Sequence, residues 1–438
     1  MTGTKVRSVG AAGRAAPVAA PYTRAEVETR AEAGPDWLRA SRLEAFDAWE
    51  RLPLPTTRLE EWRYTDPRLL AWDKVVPVAL DARNADAPAA GGAGRVVQLN
   101  GAPAHVELDA QLRAKGVILM DLAAAAQEHP ALVREHLGRY AAAESGKFAA
   151  LNGAYWSGGV FLFVPRGVRL DAPVRIARRV DRAGVAVFPR TLVLAGEGSH
   201  VGVVEEFHSP DFDRPVFACG VVELIAEAAA DVQYVSLQRW GRGVRHLSTQ
   251  RTVAKRDANL DTLAVNLGAS VARIDLGASL EGAGSRSDML GLYFGQGDQH
   301  FDHNTRQDHK VPHASSELLY KGGLDDKAKA VFRGLIHVWP KAQRTDAYQT
   351  NRNLLLSRQA QATSLPNLEI QADDVRCSHA ATVGHLDDEE LFYIMSRGVK
   401  RKDAERLVVF GFFGEVLDRL PMPDVVRELR AEIEAKIG

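Results

Sequence analysis

Cysteine is scarce in this chain, which has only Cys219 and Cys377 among 438 residues. Two cysteines provide no disulfide framework, so the composition fits a reducing cytosol and predicts a cytoplasmic protein. Long apolar runs are also missing: no stretch of about 18 consecutive apolar residues is present, which argues against a membrane span. Neither sign of charge dominates, because 55 Lys and Arg balance 56 Asp and Glu. Bulk charge therefore gives no reason to expect nucleic acid or an anionic membrane as a partner.

Catalytic signatures are missing as well. The string Ser145-Gly-Lys147-Phe148 resembles the end of a phosphate-binding loop, but Ala141 replaces the first glycine and Phe148 the Ser or Thr that would meet magnesium. Gly282-Ala-Gly284 does not open a helix, so it is no dinucleotide fingerprint. No G-x-S-x-G or H-E-x-x-H string occurs. In a chain of this length, their absence favours a scaffold over an enzyme.

The sequence divides into segments of different pattern. Residues 1–21 are rich in Ala, Gly and Pro and lack the apolar region of a secretory signal, so a disordered tail is expected. Residues 22–157 show mainly helical spacing. Residues 158–385 consist of short apolar runs separated by Gly, Asp and Asn, which predicts strands throughout. Residues 386–438 return to helical spacing and are expected to form a compact C-terminal lobe.

The strand-rich segment repeats at an interval of about 30 residues. A small or polar pair followed by an apolar strand recurs at Ser199-His-Val201, Ala230-Asp-Val232 and Ala258-Asn-Leu260. Irregular all-strand repeats of this length favour a β-solenoid, specifically a parallel β-helix, over a sandwich or a propeller. Such a stack leaves an unpaired edge at each end, which must be capped or paired. The C-terminal edge is expected around Ile370 and Val375.

The C-terminal lobe shows clear helix signals. Asp387 is placed to cap a helix whose third position is Glu390, and Gly398 is placed to end it. Two further helices are predicted over residues 403–420 and 424–436.

The most informative short string is Leu368-Glu-Ile-Gln-Ala-Asp-Asp-Val-Arg-Cys377-Ser-His379. Leu368 to Ala372 alternates apolar and polar residues, which predicts a strand. If the extended geometry continues, Cys377 and His379 face the same side. A thiolate and an imidazole suit zinc, copper or iron–sulfur chemistry, but two ligands cannot complete a site that takes four. Either the pair is structural, or another chain supplies the remaining ligands. Cys219 lies in an apolar strand and is expected to be a small core residue.

Four histidines lie close together in the sequence, at His300, His303, His309 and His313. With Asp302 and Asp308 they offer metal-ligand chemistry. Residues three apart on a strand face opposite sides, however. A ladder of hydrogen-bonded polar residues along stacked coils is therefore preferred to a metal site.

A series of strings, in this order along the chain, resembles the SufB/SufD family of the SUF iron–sulfur cluster assembly machinery. The similarity covers nearly everything from about residue 36 onward. The strings are Glu61-Trp-Arg-Tyr-Thr65, Lys147-Phe-Ala-Ala-Leu-Asn152, Ser157-Gly-Gly-Val-Phe161, Val164-Pro-Arg-Gly-Val168, Asp302-His303, Leu319-Tyr-Lys-Gly322, Thr345-Asp-Ala-Tyr-Gln-Thr-Asn-Arg-Asn-Leu-Leu-Leu356, Ala372-Asp-Asp-Val-Arg-Cys-Ser-His379, Leu391-Phe-Tyr393 and Ser396-Arg-Gly398.

The string ending at His379 resembles the SufD branch, because SufB-type chains carry an acidic Glu-His-Glu string there. The resemblance implies a right-handed parallel β-helix flanked by helical regions and without catalytic activity. It implies a heterodimer with SufB through the terminal β-helix edge, and a SufC ATPase on the C-terminal lobe. Cys377 and His379 are then this chain's metal ligands and its contribution to a transient iron–sulfur cluster shared with SufB. The isolated chain is expected to self-pair as a homodimer through the same edge.

Two positions depart from the family pattern. Ala380 stands where the family commonly has Gly, and Asp326 stands where the family commonly has Gly in Leu-Asp-Gly-Lys. Both substitutions are expected to change local turn geometry. Two alternatives remain open at this point: a SufB-like scaffold chain, and more remotely a β-helix polysaccharide-degrading enzyme. Enzymes of the latter class usually act outside the cell, and the missing signal peptide counts against that reading.

Overall fold

The computed structural model of the chain describes residues 21–79, 92–420 and 422–437. The tail predicted over residues 1–21 lies outside the described residues except for Pro21. Among the helices in these ranges, none is long and apolar enough to cross a membrane. The helices are α1 (Arg24–Ala31), α2 (Asp36–Arg51), α3 (Ala110–Ala114), α4 (Leu122–Glu128), α5 (Pro130–His136), α6 (Lys147–Tyr155), α7 (Asp388–Met395), α8 (Arg401–Leu417) and α9 (Pro423–Ile437).

The strands are β1 (Val76–Pro77), β2 (Gly94–Leu99), β3 (Ala102–Leu108), β4 (Ile118–Asp121), β5 (Val160–Val164), β6 (Val174–Arg179), β7 (Val185–Val187), β8 (Arg190–Ala195), β9 (His200–His208), β10 (Val216–Ala226), β11 (Asp231–Arg239), β12 (Val244–Ala254), β13 (Asn259–Asn266), β14 (Val271–Leu280), β15 (Arg286–Gly295), β16 (His300–His309), β17 (Ser315–Leu324), β18 (Lys329–Val338), β19 (Asp346–Leu355), β20 (Gln361–Ile370) and β21 (Arg376–His385).

Two long sheets face each other. The first sheet runs in the order β20-β18-β16-β14-β12-β10-β8-β5-β4, and the second in the order β21-β19-β17-β15-β13-β11-β9-β6-β2-β3. From β8 onward, successive strands along the chain therefore alternate between the sheets, and each pairs in parallel with the strand two positions on. This is a parallel β-helix with two strands in each coil, which confirms the predicted fold class.

The predicted repeat is present as strand register. His200, Asp231 and Asn259 occupy equivalent positions on neighbouring strands of the second sheet, as the recurring string indicated. The same position continues through Arg286, Ser315, Asp346 and Arg376, so one coil takes about 30 residues.

The central strands are buried on both faces. All eleven residues of β10 are buried, because the second sheet covers its inner side and the N-terminal helices pack against its outer side. Asn152 on α6 donates 2.8 Å to the carbonyl of Cys219, and the Cys219 thiol is itself buried. Burial on both faces explains why the sequence of β10 is almost continuously apolar. The prediction that Cys219 is a small core residue is confirmed.

The N-terminal segment contains strands as well as helices. β2 and β3 form an antiparallel hairpin that extends the second sheet through β6, and β4 extends the first sheet by pairing antiparallel with β5. The sequence did not predict these short strands, because the segment shows mainly helical spacing. They place an antiparallel strand at the N-terminal end of each sheet.

The C-terminal helices return along the side of the solenoid. Asp387 caps α7 by accepting from the backbone N–H groups of Glu389 and Glu390, and Gly398 has φ 87°, as the helix signals predicted. The buried residues of α8 and α9, such as Phe413 and Leu429, pack against apolar residues of the second sheet. The lobe thus covers the outer face of the second sheet and leaves the last coil uncovered by it.

Three buried histidines make the stability of the solenoid depend on pH. Burial lowers the pKa of His246 and of His303 to about 3, and that of His309 to about 4. The unfolded chain takes up these protons below about pH 6.5. The native state is therefore fully favoured above pH 6.5 and loses stability as the pH falls towards 3.

We expect each of these histidines to reduce the free energy of unfolding by about 1.4 kcal/mol per pH unit below pH 6.5. Urea unfolding between pH 7.5 and pH 5 measures this slope. Trp240 donates 3.0 Å to Nδ1 of His246, so His246→Asn keeps an acceptor without the titration and should flatten the slope. His385→Asn, at an exposed position, is the control. Equal slopes for the native chain and His246→Asn would contradict this assignment.

Candidate functional site

The last coil of the solenoid has an open edge. β20 and β21 are the end strands of their sheets and pair with β18 and β19 on one side only, among the residues that the structure describes. Their other side presents unpaired backbone N–H and C=O groups, which readily accept a further strand. The edge predicted near Ile370 and Val375 is thus present: Ile370 ends β20, and Val375 immediately precedes β21.

The backbone N–H and C=O groups of Cys377 and His379 point towards this open side. The N–H of Arg376 donates 2.8 Å to the carbonyl of Thr345, the residue that precedes β19. Because backbone direction alternates along a strand, the N–H and C=O groups of Cys377, His379 and Ala381 face away from β19.

β20 offers a less complete row of donors than β21. The N–H of Gln361 donates to the carbonyl of Ala328, which precedes β18. The backbone N–H and C=O groups of the odd-numbered residues of β20 therefore point towards β18, and those of the even-numbered residues point towards the open side. Pro366 is one of the even-numbered residues and has no N–H, which an edge strand tolerates. Of the two end strands, β21 is therefore the better template for a partner strand.

The side chains of Cys377 and His379 lie at the open end of the solenoid interior, which we call the terminal mouth and which β20 and β21 border. Cys377 is in register with Ala347, and His379 with Gln349. Ala347 and Gln349 are buried inward-facing residues of β19, and paired residues of parallel strands face the same side. Cys377 is half-buried beside the apolar cluster around Ala347 and Ala372, whereas His379 is exposed.

One local prediction was wrong. Leu368–Ala372 and Cys377 do not belong to one continuous strand: β20 ends at Ile370, residues 371–375 turn, and Cys377 begins a strand of the opposite sheet. Cys377 and His379 nevertheless share a face, because both lie on β21 two residues apart.

The thiol of Cys377 is not activated by its own chain. Burial raises the pKa of the Cys377 thiol to about 11, and the charge of Asp346 adds to this effect. The thiol is therefore protonated at neutral pH, while the thiolate is the form that binds metals. A metal ion or a cationic partner group must displace that proton before Cys377 can act as a ligand.

Two side chains do not make a complete metal site. Within the described ranges, no group of three or more His, Cys, Asp and Glu side chains is arranged to hold a metal ion. Zinc and iron–sulfur clusters usually take four protein ligands. The pair at the terminal mouth therefore needs further ligands from outside the described residues to form such a site.

The four clustered histidines are separated by the fold. His303 and His309 point into the interior, where they meet residues of the second sheet, while His313 lies in a turn with φ 60°. The bonds of His303 and His309 therefore cross between the sheets, and that of His300 reaches the N-terminal segment. The contacts are His300 Nε2 to Thr65 Oγ1 at 2.8 Å, His303 Nε2 to Asn266 Nδ2 at 3.0 Å and His309 Nε2 to Ser316 Oγ at 2.7 Å. The predicted ladder along stacked coils is present for the two acidic residues: Asp302 pairs with Arg273 of β14, and Asp308 bonds to Nδ1 of His337 on β18 at 2.9 Å.

The C-terminal lobe carries an exposed apolar patch that the sequence did not reveal. Phe392 is 73% exposed, Tyr393 60% and Leu407 56%. All three lie on α7 or α8, and none belongs to the set of lobe residues that packs against the second sheet. Helical spacing predicted these helices, but exposure depends on which side packs against the solenoid. Adjacent exposed aromatic residues are typical of protein-binding surfaces.

Comparison with known proteins gives two family matches. The family described as "SUF system FeS cluster assembly, SufBD core domain" matches residues 178–412, and the "SufBD protein N-terminal region" matches residues 93–176. An "Iron-sulfur cluster assembly SufBD family protein" of Staphylococcus epidermidis is 30% identical over 422 residues, covering 92% of this chain and 91% of that protein. Relatives of the same family from Staphylococcus haemolyticus and Staphylococcus aureus are 29% identical over the same length.

The fold and the site define a parallel β-helix protein whose open last coil carries a thiol and an imidazole side by side. The chain belongs to the SufBD family of SUF-system iron–sulfur cluster assembly proteins. The resemblance to the SufB/SufD family seen in the sequence is confirmed.

Proposed function

We propose that this chain is a SufD-type, non-catalytic scaffold subunit that pairs with SufB through its last coil. The observation that carries this proposal is the open edge of β21, where the outward-facing backbone groups belong to the same residues, Cys377 and His379, that present a thiol and an imidazole. A strand added to β21 brings its own side chains into register with this pair. A partner strand that pairs with β21 would thus also contact Cys377 and His379.

The choice of SufD over SufB rests on the string around the site. Ala372-Asp-Asp-Val-Arg-Cys-Ser-His379 resembles the SufD branch, whereas SufB-type chains carry an acidic Glu-His-Glu string there. The family matches support either branch equally, so the string alone favours SufD. Ala380, where Gly is common, lies on β21 next to His379 and adopts the strand geometry without a positive φ.

A divided ligand set suits an assembly site. Cys377 and His379 supply two of the roughly four ligands that a cluster requires, and SufB supplies the rest. The nascent cluster is the cargo of the complex, held at the terminal mouth and then passed on. This chain alone holds no cluster tightly, because it contributes only half of the ligands and a thiol that is protonated at neutral pH.

The C-terminal lobe is the proposed docking site of the SufC ATPase. α8 and α9 bury one side against the second sheet, and α7 with the start of α8 leaves Phe392, Tyr393 and Leu407 exposed. A partner that covers this patch gains burial of two adjacent aromatic side chains. The patch lies on α7 and α8, whereas the proposed SufB contact lies on β21, so the two partners use different elements.

Two further features complete the proposal. The complex works in the cytoplasm, where Cys219 and Cys377 stay reduced, and both are free thiols here. In the absence of SufB, a second copy of the chain pairs through the same edge and forms a homodimer, because the open backbone row does not discriminate between partner strands.

The first test concerns His379. His379→Ala should leave the complex with SufB intact and lower cluster yield at least about tenfold, since loss of a partner of a metal site commonly costs that much. The measurement is the amount of iron–sulfur cluster formed in a strain that depends on this pathway.

The matched control is His385→Ala, which removes the exposed imidazole at the end of the same strand. It should behave like the native chain. A native cluster yield from His379→Ala, with the variant present at native abundance, would remove His379 from the site.

The second test concerns the apolar patch. Phe392→Ala combined with Tyr393→Ala should weaken SufC binding at least about tenfold, because truncating buried interface aromatics typically costs about 2 kcal/mol or more. Calorimetric titration of SufC into the complex measures the change. A deletion of the whole lobe is less informative, since it would also expose the apolar face of the second sheet.

Tyr64→Ala is the control for this pair, because Tyr64 is 44% exposed and lies on the N-terminal segment. It should leave SufC affinity unchanged. Equal affinity of the native chain and the double variant would place SufC elsewhere.

A further inference from the structure

The register of the last coil is weakly specified by burial. Inner strands such as β10 bury every residue, whereas every residue of β20 and β21 is exposed or half-exposed. Side chains alternate along a strand, so a slip of one residue moves each of them to the opposite face. Such a slip would turn Cys377 and His379 away from the terminal mouth. An interaction other than burial must therefore fix the register of these two strands.

Polar side chains of β19 reach across the interior to β20. Gln349 Nε2 donates 3.1 Å to the carbonyl of Asn367, and Ser364 Oγ donates 2.8 Å to Oδ1 of Asn351. Both bonds join the last strand of the first sheet to the next-to-last strand of the second sheet. They are directional, so they hold only when β20 has its observed register.

The Asn351 end of the second bond is anchored deeper in the solenoid. Asn353 Nδ2 donates 2.8 Å to Asn351 Oδ1, and Asn351 Nδ2 donates 3.3 Å to the hydroxyl of Tyr293. That hydroxyl in turn donates to Oδ1 of Asn353. Tyr293, Asn351 and Asn353 are buried, and a buried network of this kind is stable only when its members are mutually bonded.

Two glycines leave room for this network. A Cβ on Gly322 would overlap the ring of Tyr293, and a Cβ on Gly334 would overlap the amide of Gln349. Gly322, Gln349, Asn351 and Asn353 all lie in the strings Leu319–Gly322 and Thr345–Leu356, to which the fold and the ligand pair give no other role. These strings thus converge on one layer of polar residues directly beneath the last coil.

We propose that the network of Tyr293, Asn351, Asn353 and Ser364, together with the separate bond from Gln349 to Asn367, fixes the register of the last coil and so holds Cys377 and His379 at the terminal mouth. β21 is linked to this layer through β19 and a shared cluster: His379 is in register with Gln349, and Cys377 packs on the same apolar cluster as Leu368 of β20. The role in assembly rests on the function proposed above. The effect of the network on the position of Cys377 is independent of that function and can be measured on this chain without SufB.

The native chain carries its own probe of this position. Cys377 is half-buried and Cys219 is buried, so a thiol reagent such as iodoacetamide reports on Cys377. Alkylation requires access to the sulfur, and the native register keeps Cys377 level with buried Ala347 and packed on an apolar cluster. When the last coil loses its register, Cys377 turns away from this cluster and the reagent reaches it more readily.

The experiment compares alkylation rates of the full-length chain at a single pH, at a dilution at which it is monomeric, with the melting temperature measured on the same samples. Ser364→Ala should raise the rate about tenfold or more, because a slipped β21 exposes the thiol that the native register keeps half-buried. Ser364→Thr, which restores a hydroxyl, and Thr363→Ala, on the opposite face of β20, should keep the native rate. Asn351→Ala should act like Ser364→Ala.

A native alkylation rate for Ser364→Ala overturns the proposal, even when the melting temperature falls, because the network would then contribute stability alone. If Asn351→Ala does not fold, Ser364→Ala at the rim of the network still decides. The proposed function fails separately: a native cluster yield from His379→Ala would remove the assembly role and leave the alkylation result standing.

Discussion

The constraint on which this structure depends is that each coil of a parallel solenoid satisfies its backbone hydrogen bonds only through the coils beside it. The antiparallel strands β3 and β4 end the two sheets at the N-terminal side. At the C-terminal side, β20 and β21 each keep one unpaired row of backbone groups. The helices that follow fold back along the outer face of the second sheet and leave this edge uncovered. Such a row readily recruits a strand, so the end of the stack is where we place the proposed interface.

The position of the candidate site follows from this constraint. Cys377 and His379 lie on β21, where side chains that would be interior in a middle coil instead face the open end. A thiol there is half-buried and protonated, and an imidazole is exposed, which is an incomplete arrangement for a chain by itself. The polar layer beneath them, built around Asn351, ties the last coil to the rest of the solenoid. The proposed interface, the ligand pair and Asn351 thus all lie on the consecutive strands β19, β20 and β21.

Much of the fold could be predicted from the sequence because its signals are local. The interval of about 30 residues, the strand-forming runs of residues 158–385 and the cap at Asp387 all depend on neighbouring residues, and the structure has each of them. The separation of Leu368 from Cys377 onto two sheets could not be predicted, since the turn at 371–375 carries no glycine or proline. The path of α8 and α9 and the bonds of Asn351 depend on contacts between residues distant in sequence, which periodicity does not encode.

The most direct test of the central claim is amide hydrogen exchange of this chain with and without SufB, at a dilution at which the chain without SufB is monomeric. The account predicts that the amides of Cys377, His379 and Ala381, whose N–H groups face the open side of β21, become protected when SufB binds. The amides of Arg376, Ser378 and Ala380 face β19 and should be protected already in the isolated monomer. Unchanged exchange at Cys377, His379 and Ala381 in the presence of saturating SufB would show that the partner does not pair with this edge.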